Sequence, residues 1–595
     1  MAAMLQSMER GALMPNEENI SRKSLNFELV PDFFEMIFSL FERVAGLQPF
    51  QTLTTLLLCM VWFTGALHVL SNIFLLKADA NGDVRLENTV QGAFRSRSNG
   101  QLTSAELAWS NSLLFVGWLF GASLWSILAD RFGRRPVCLV CFIALMLADL
   151  AVFGSPTYPI YLAARILLGF SVGGIGVISY VWGCEFMAFD VQGALRKLSP
   201  EAAVNTPIPV AATSSTRGGA LFNISWSVGG MVLPLVAWLI PYWRHFYLFL
   251  VAFNLTLGLL LMWLMPESPK WLMSQKKWSQ ARQLVTRMQR FNIGRYAHAY
   301  ESVPGHREDD DVDHGDDHMS LRDGSSQSSH GLVIEDEGIG ADPLTIDVDV
   351  GAITKRNEFQ SDYDTDSPES PQPSAQSNPN VRRRSSRWAF LRLMRPPLAL
   401  TTICLAVVWF TNAFVYYGLN LNTSAIPGNI YLITFLMNVL AIPGQVLSIP
   451  AAHRWSCRRC LLLLMPVVGV IFCTMTALSW LTGQFIPGGI DGNRSWLNPL
   501  LMVISFAGQF VITMTFTLCY AITADAYPTV IRGAGVGLGV MMGRVGAMVS
   551  PFVVNLQSES GDASLVYFIF GAVGLASGVA MFLLPRLSKD EDDRS

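Results

Sequence analysis

The chain alternates long apolar runs with short polar ones, and the apolar runs have membrane-spanning length. Twelve of them fall at 50–76, 109–129, 136–153, 159–182, 218–240, 246–265, 397–418, 428–450, 461–481, 498–524, 533–556 and 564–584. A helix needs about twenty residues to cross ~30 Å of hydrocarbon. In lipid the backbone must satisfy its own hydrogen bonds, so each run predicts a helix and the chain an all-α membrane protein. One polar interruption, 274–396, is far longer than the others and leaves six spans on each side. This predicts five segments: 1–49, a six-helix half 50–273, the loop 274–396, a second half 397–585, and a tail 586–595.

Two stretches outside the spans also carry helical periodicity. PDFFEMIFSLFERVAGLQPF, just before the first span, predicts an interfacial helix, and WSQARQLVTRMQRF opens the long loop with an apolar face. The loop then turns polar. Residues 301–379 hold twenty acidic side chains against four basic ones and no packable apolar run, the composition of solvated low complexity.

Composition agrees with the pattern: 51% hydrophobic and 15% charged residues, where soluble domains run near 25% charged. The formal charge of -3 conceals a segregation of basic residues at helix ends from acidic ones in the loop. It therefore points to no nucleic-acid partner. The basic residues set the orientation. Arg131, Arg134 and Arg135, then Arg196, Lys197 and Arg217, then Lys270, Lys276 and Lys277, then Arg454, Arg458 and Arg459, and finally Arg532 all fall in alternate connections. Under the positive-inside rule these are cytoplasmic, as both termini then are. Lys77, Arg85, Arg95, Arg97 and Arg244 are the exceptions.

Candidate chemistry outside the spans is sparse. The nine cysteines lie in spans or at basic edges, so no disulfide framework is expected. Cys457 and Cys460 form a C-x-x-C without a second ligand pair, and His306, His314, His318 and His330 sit in low-complexity sequence, so neither predicts a metal site. No nucleophile, base and orienting group recur together, which argues against an enzyme, and no cofactor is expected. The N-x-S/T acceptors Asn422 and Asn493 fall in outer connections and are candidate glycan sites. In RRRSSRW, Ser385 and Ser386 follow arginines, which suits a kinase; the place beside the seventh span favours inner-leaflet anchoring.

The most informative connection is GASLWSILADRFGRR, Gly121–Arg135. Gly133 allows a tight turn, and Gly121 with Ala122 allows a second helix to approach closely. This stretch resembles the signature loop of the major facilitator superfamily, a fold of two six-helix halves. The resemblance implies that Asp130, Arg131, Arg134 and Arg135 pair with neighbouring helices and hold one conformation closed. SIPAAHRWSCRR, ending at Arg459, occupies the equivalent place in the second half and keeps the arginines without the glycine and aspartate. Duplicated halves suit alternating access about a midplane site.

MPESPKWL (265–272), WFTNAFVYYGLNL (409–421) and ADAYPTVIRGAGVGLGVMMGRVGAMVSPFV (524–553) narrow the resemblance to the organic cation, organic anion and carnitine transporters, solute carrier family 22. The chain departs from that family in four places. Asp525 stands where glutamate is usual, and the first outer loop is short and lacks cysteine. KLSPEAAVNTPIPVAATSST is an extra inner stretch, and the last span ends in PRLSKDEDD.

Arg544 lies within the eleventh span, where a cation costs about 2.5–3.5 kcal/mol on insertion scales, so it needs a buried partner or a ligand. Gly543 and Gly546 leave its guanidinium room to take a carboxylate, and Asp149 is the alternative internal partner. The resemblance implies that this position reads substrate charge, being basic in anion and carnitine carriers. It also implies an acidic residue before the eighth-span proline in cation carriers, where this chain has Ala441, Ile442 and Pro443. Trp409, Phe410, Tyr416 and Tyr417 supply aromatic surface that suits either a substrate body or helix packing. Glu185 with Arg217, and Asp525 with Arg532, are implied gating residues.

These readings predict a plasma-membrane carrier of a small organic anion or carnitine-like zwitterion, surrounded by lipid. An organic cation carrier, favoured if Asp149 faces the cavity, a sugar carrier, and a non-transporting receptor or scaffold working through the acidic loop remain as alternatives.

Overall fold

The computed structural model describes residues 48–76, 84–94, 102–191, 215–301, 393–423, 426–482, 497–527, 531–560 and 564–585, apart from 395, 397 and 427. The segment 31–47, the acidic loop 302–392, Ser385, Ser386 and Asn493 lie outside the described residues.

Twelve helices are long and apolar enough to span a membrane: α1 Pro49–Leu75, α2 Ser104–Phe132, α3 Arg134–Phe153, α4 Tyr158–Met187, α5 Gly219–Leu239, α6 Trp243–Leu264, α7 Leu398–Leu421, α8 Ile430–Trp455, α9 Cys457–Trp480, α10 Pro499–Ala526, α11 Gly533–Leu556 and α12 Ser564–Leu583. Several run past the apolar cores that predict them. At α2, Thr103 and Glu106 close a reciprocal capping box, with Thr103 N donating to Glu106 Oε2 (2.8 Å) and Glu106 N donating to Thr103 Oγ1 (3.2 Å). Polar caps therefore start the helix five residues before its apolar run begins.

Close packing of α2 on α4 holds the N-terminal half together. A Cβ added at Gly121 would lie 2.0 Å from the Phe170 carbonyl oxygen, and one at Gly169 would lie 1.8 Å from the Leu114 carbonyl oxygen. Backbones this close leave no space for even a methyl group, which is how small residues drive helix association in lipid. Gly121→Ala is therefore expected to push the helices apart at a cost of about 1–3 kcal/mol or more. The variant should show a lowered unfolding temperature in detergent; wild-type stability would mean that α2 and α4 are not packed as described.

The two halves build the same turn from different residues. Gly133 links α2 to α3 with φ 110°, ψ 157°; Ser456 links α8 to α9 with φ 68°, ψ 146°. The serine thus adopts a positive φ that costs a residue with a Cβ, and the duplication survives there in backbone geometry after the glycine is lost. Arg244, a basic residue at the end away from these turns, also has a local explanation. Its guanidinium donates to the Phe153 carbonyl and, at 2.9 Å, to that of Ser155, closing the C-terminal end of α3 where cations are favoured.

After α6 a short helix, Pro269–Ser274, leads into Trp278–Glu301, the amphipathic element predicted at the head of the long loop. Asn292 on that element caps α1: Phe50 N donates to Asn292 Oδ1 (2.9 Å), and Asn292 Nδ2 donates to Gln48 Oε1 (2.7 Å). The beginning of the loop is thereby tied to the first span.

The halves meet along α2 with α11 and α5 with α8. At the end away from the basic turns, Phe74 stacks on Tyr431 (5.0 Å), Trp109 meets Phe552 edge-on (5.0 Å) and Ser112 Oγ donates to the Met548 carbonyl (2.8 Å). Nearer the middle, Gln445 Nε2 donates to Ser227 Oγ at 2.9 Å.

Candidate transport site

Between the halves lies a cavity lined by Trp62, Trp118, Trp226, Tyr417, Phe516 and Arg544, with Asn223, Tyr416, Gln445, Thr513 and Tyr520 completing its wall. Helices α1, α2 and α5 contribute from one half and α7, α8, α10 and α11 from the other, so both halves share its wall. Trp226 Nε1 donates to the Tyr416 hydroxyl across the interface at 3.0 Å. Phe115 packs against Tyr417 at 4.7 Å.

Arg544 is the charged member of this wall. Its Cζ sits 3.8 Å from the centre of the Trp118 ring, and Nη1 donates to the Tyr417 hydroxyl at 3.2 Å. Its Nε is buried and has no protein partner among the described residues, and no carboxylate pairs with it there. The indole face attracts the cation through its ring quadrupole but leaves the remaining N–H groups available. A carboxylate fits such an edge with two parallel hydrogen bonds.

Asp149, the alternative partner, is elsewhere. It is fully buried beside His68 on α1 and Asn254 on α6. Tyr416 and Tyr417 do line the cavity, whereas Trp409 and Phe410 do not. Trp409 sits behind the wall, its Nε1 donating to Thr523 Oγ1 (2.9 Å) and its ring 4.6 Å from that of Tyr520. Phe410 stacks on Phe414 at 5.6 Å. A helix turns 100° per residue, so a run of aromatics necessarily points in several directions. The cavity's indoles, Trp62, Trp118 and Trp226, come from three helices of the first half, and no sequence spacing connects them.

At the basic turn between α2 and α3, the sequence-predicted residues divide. Arg134 grips Glu185 with two hydrogen bonds (Nε to Oε2 3.1 Å, Nη2 to Oε1 2.9 Å) and also meets Asp130 Oδ1 at 2.9 Å. Glu267, within the MPESPKWL stretch, receives the Arg134 and Arg135 backbone N–H groups at 2.9 and 3.2 Å, a carboxylate seated on a helix N-terminus. Trp271 Nε1 donates to the Asp130 carbonyl at 3.0 Å. Arg131 instead lies exposed over Phe132. Glu185 is thus engaged by Arg134, and all of these partners belong to the first half. The side chains of Arg217 and Arg532 lie outside the described residues, and Asp525 is exposed. Asn422 is only 2% exposed, a position in which this packing leaves no room for a glycan.

Comparison with known proteins agrees with this architecture. The family described as Major Facilitator Superfamily matches residues 210–492 and 398–595, and that described as Sugar (and other) transporter matches 58–296. Among curated relatives, organic anion transporter 3 of Oryctolagus cuniculus is 24% identical over 80% of this chain and 68% of its own length. Solute carrier family 22 member 15-like of Xenopus tropicalis is 24% identical over 80% of this chain and 75% of its own. Human solute carrier family 22 member 7 is 26% identical over 80% and 67%. Among solved structures, the xylose transporter XylE from E. coli, partially occluded and inward open, superposes with a TM-score of 0.53 at 13% identity, over 89% of this chain and 97% of that one. XylE bound to 6-bromo-6-deoxy-D-glucose gives 0.52 at 14% identity, over 90% and 97%. These two likenesses concern the fold. The chain belongs to the major facilitator superfamily, as a membrane transporter whose curated relatives are members of solute carrier family 22.

Proposed function

We propose that this chain carries a small organic anion or a carnitine-like zwitterion across the plasma membrane by alternating access. The observation that carries the reading is the guanidinium of Arg544, present in the cavity wall without a carboxylate partner among the described residues. A half-buried cation within a span, with no carboxylate partner among the described residues, is a place for an anionic ligand. Indole and phenol rings around it suit a flat apolar body attached to that charge. The relatives' names point the same way, one of them being an organic anion transporter. Ring contacts join the two halves at the end away from the basic turns, which under the positive-inside orientation is the outer one.

The organic cation reading relies on Asp149 as counter-charge, and Asp149 is turned away into the first half against His68. Asp130, Arg134 and Glu185 act in our reading as the brace of the inner gate.

The test is initial uptake of three labelled solutes, an aryl carboxylate, carnitine and a quaternary ammonium ion, by cells expressing the full chain. Uptake of the carboxylate or carnitine several-fold above control supports the reading; uptake of the ammonium ion alone overturns it.

A further inference from the structure

A second group of polar and ionisable side chains lies within the spans, away from the solute cavity. His68 on α1, Asp149 on α3, Asn254 on α6 and Arg165 on α4 are each 0% exposed. Intramembrane ionisable groups are costly and mark functional positions, among them proton relays. Hydrogen-bond geometry then says what this group does.

His68 Nδ1 lies 2.7 Å from the Thr64 carbonyl oxygen, which only accepts, so Nδ1 carries a hydrogen. Its other nitrogen, Nε2, lies 3.1 Å from Asp149 Oδ2. Two acceptors cannot face each other at that distance without a hydrogen between them, so one proton is held between Nε2 and Oδ2. The pair is imidazolium with carboxylate, or imidazole with carboxylic acid; either way it holds that proton.

Asn254 makes the site reversible. The Thr64 hydroxyl donates to Asn254 Oδ1 at 2.8 Å, which turns the amide nitrogen toward the pair. That nitrogen lies 2.9 Å from Asp149 Oδ2 and 3.2 Å from His68 Nε2. When the proton leaves, Nε2 and Oδ2 become two facing acceptors and must move apart, and the two N–H groups of the amide are placed to serve one each. Arg165 supplies the charge balance. It lies within electrostatic reach of Asp149, and its Nη2 and Asp149 Oδ1 are both buried without a partner among the described residues. Loss of the proton takes the group from a net single positive charge to neutrality, and both states have their hydrogen bonds. Among the described residues the other titratable groups near it include Tyr247, whose hydroxyl accepts from Arg165 Nη1 at 2.9 Å, Tyr161, whose hydroxyl meets Ser110 Oγ at 3.2 Å, and Tyr158, which lies within electrostatic reach of Arg165. None of these phenols is an acid of carboxylate strength.

We propose that His68 and Asp149 form a proton-binding site and that one proton bound there is carried with the solute in each transport cycle. Helix α1 connects the two functions: it carries His68 on the proton side and Trp62 into the solute cavity. Its regular helix is interrupted at Ser71, whose Oγ donates to the His68 carbonyl at 2.9 Å. A change in the tie between α1, α3 and α6 therefore moves an element of the cavity wall. The proposal rests on the reading of this chain as a transporter, but not on the class of solute.

The experiment uses the purified full chain in proteoliposomes on a solid-supported membrane, with a pH jump in the absence of any solute. The expected result is a transient charge displacement in the wild type and in Arg544→Gln, reduced to the level of empty liposomes in Asp149→Asn. His68→Gln serves as a second variant should Asp149→Asn fail to yield folded protein. In parallel, a pH gradient of one unit should raise initial uptake of the transported solute several-fold. Asp149→Asn should lose that response while retaining solute exchange without a gradient. A transient unchanged in Asp149→Asn, or none in the wild type, overturns the proposal. So does loss of ungradiented exchange in a variant that remains folded, because the pair would then be structural. Failure of the anion reading shows separately, as absence of carboxylate uptake with the pH transient intact.

Discussion

Replacement of Arg544 by aspartate is expected to lower uptake of the anionic or zwitterionic solute at least ten-fold at unchanged surface abundance. Hydrogen bonds to a charged group contribute about 1.5–3 kcal/mol each, and 1.4 kcal/mol corresponds to one factor of ten. Loss of a single carboxylate contact is enough for the effect, and a like charge in its place adds repulsion. Arg544→Lys should recover only part of the activity, since an ammonium cannot present two parallel donors. The fold should tolerate both changes, because the described side chain makes one hydrogen bond, to Tyr417, and one ring contact, to Trp118. Equal uptake by Arg544→Asp and wild type would remove this residue from the site.

Removal of Arg134 is expected to act on the protein itself. Its guanidinium, 9% exposed, is shared by Glu185, Asp130 and the Ala129 carbonyl (Nη1, 2.9 Å). Arg134→Ala leaves Glu185, whose side chain is 16% exposed, without its cation. Breaking a buried pair in this way costs about 3–5 kcal/mol, and the partial access of water here places the expectation at the lower end. The measurement is thermal unfolding of purified variants followed by monodispersity in detergent. Stability should fall in the order wild type, Arg134→Lys, Arg134→Ala, because lysine keeps the charge and loses the two-pronged geometry. A variant as stable as the wild type would show that the turn gains nothing from this pairing. The variants also separate brace from gate: the partners all lie in the first half, so a pure stability effect lowers the amount of transporter without altering the solute concentration at half-maximal rate.

Much of the architecture is a one-dimensional property of this sequence. Apolar runs of membrane length impose helices because unpaired backbone groups are not tolerated in lipid, and the basic residues at alternate connections order those helices. Gly121 announced close packing, since the space for a neighbour is the absence of a side chain, and α4 fills it. Arg544 was legible for a similar reason, a permanent charge in an apolar span being costly wherever it points. Only tertiary structure decided what each polar group faces. Asp149 is eighty-one residues from His68 and one hundred and five from Asn254, yet hydrogen-bonds to both. Sequence alone offered it equally to Arg544. The cavity's three indoles and its glutamine arrive from four different helices, while Trp409 and Phe410, within the aromatic run of α7, are turned behind the wall. A span's length and charge follow from the transfer of its own residues out of water, whereas the direction of a side chain depends on how each helix is rotated against its neighbours, and that is fixed by contacts between residues far apart in the chain.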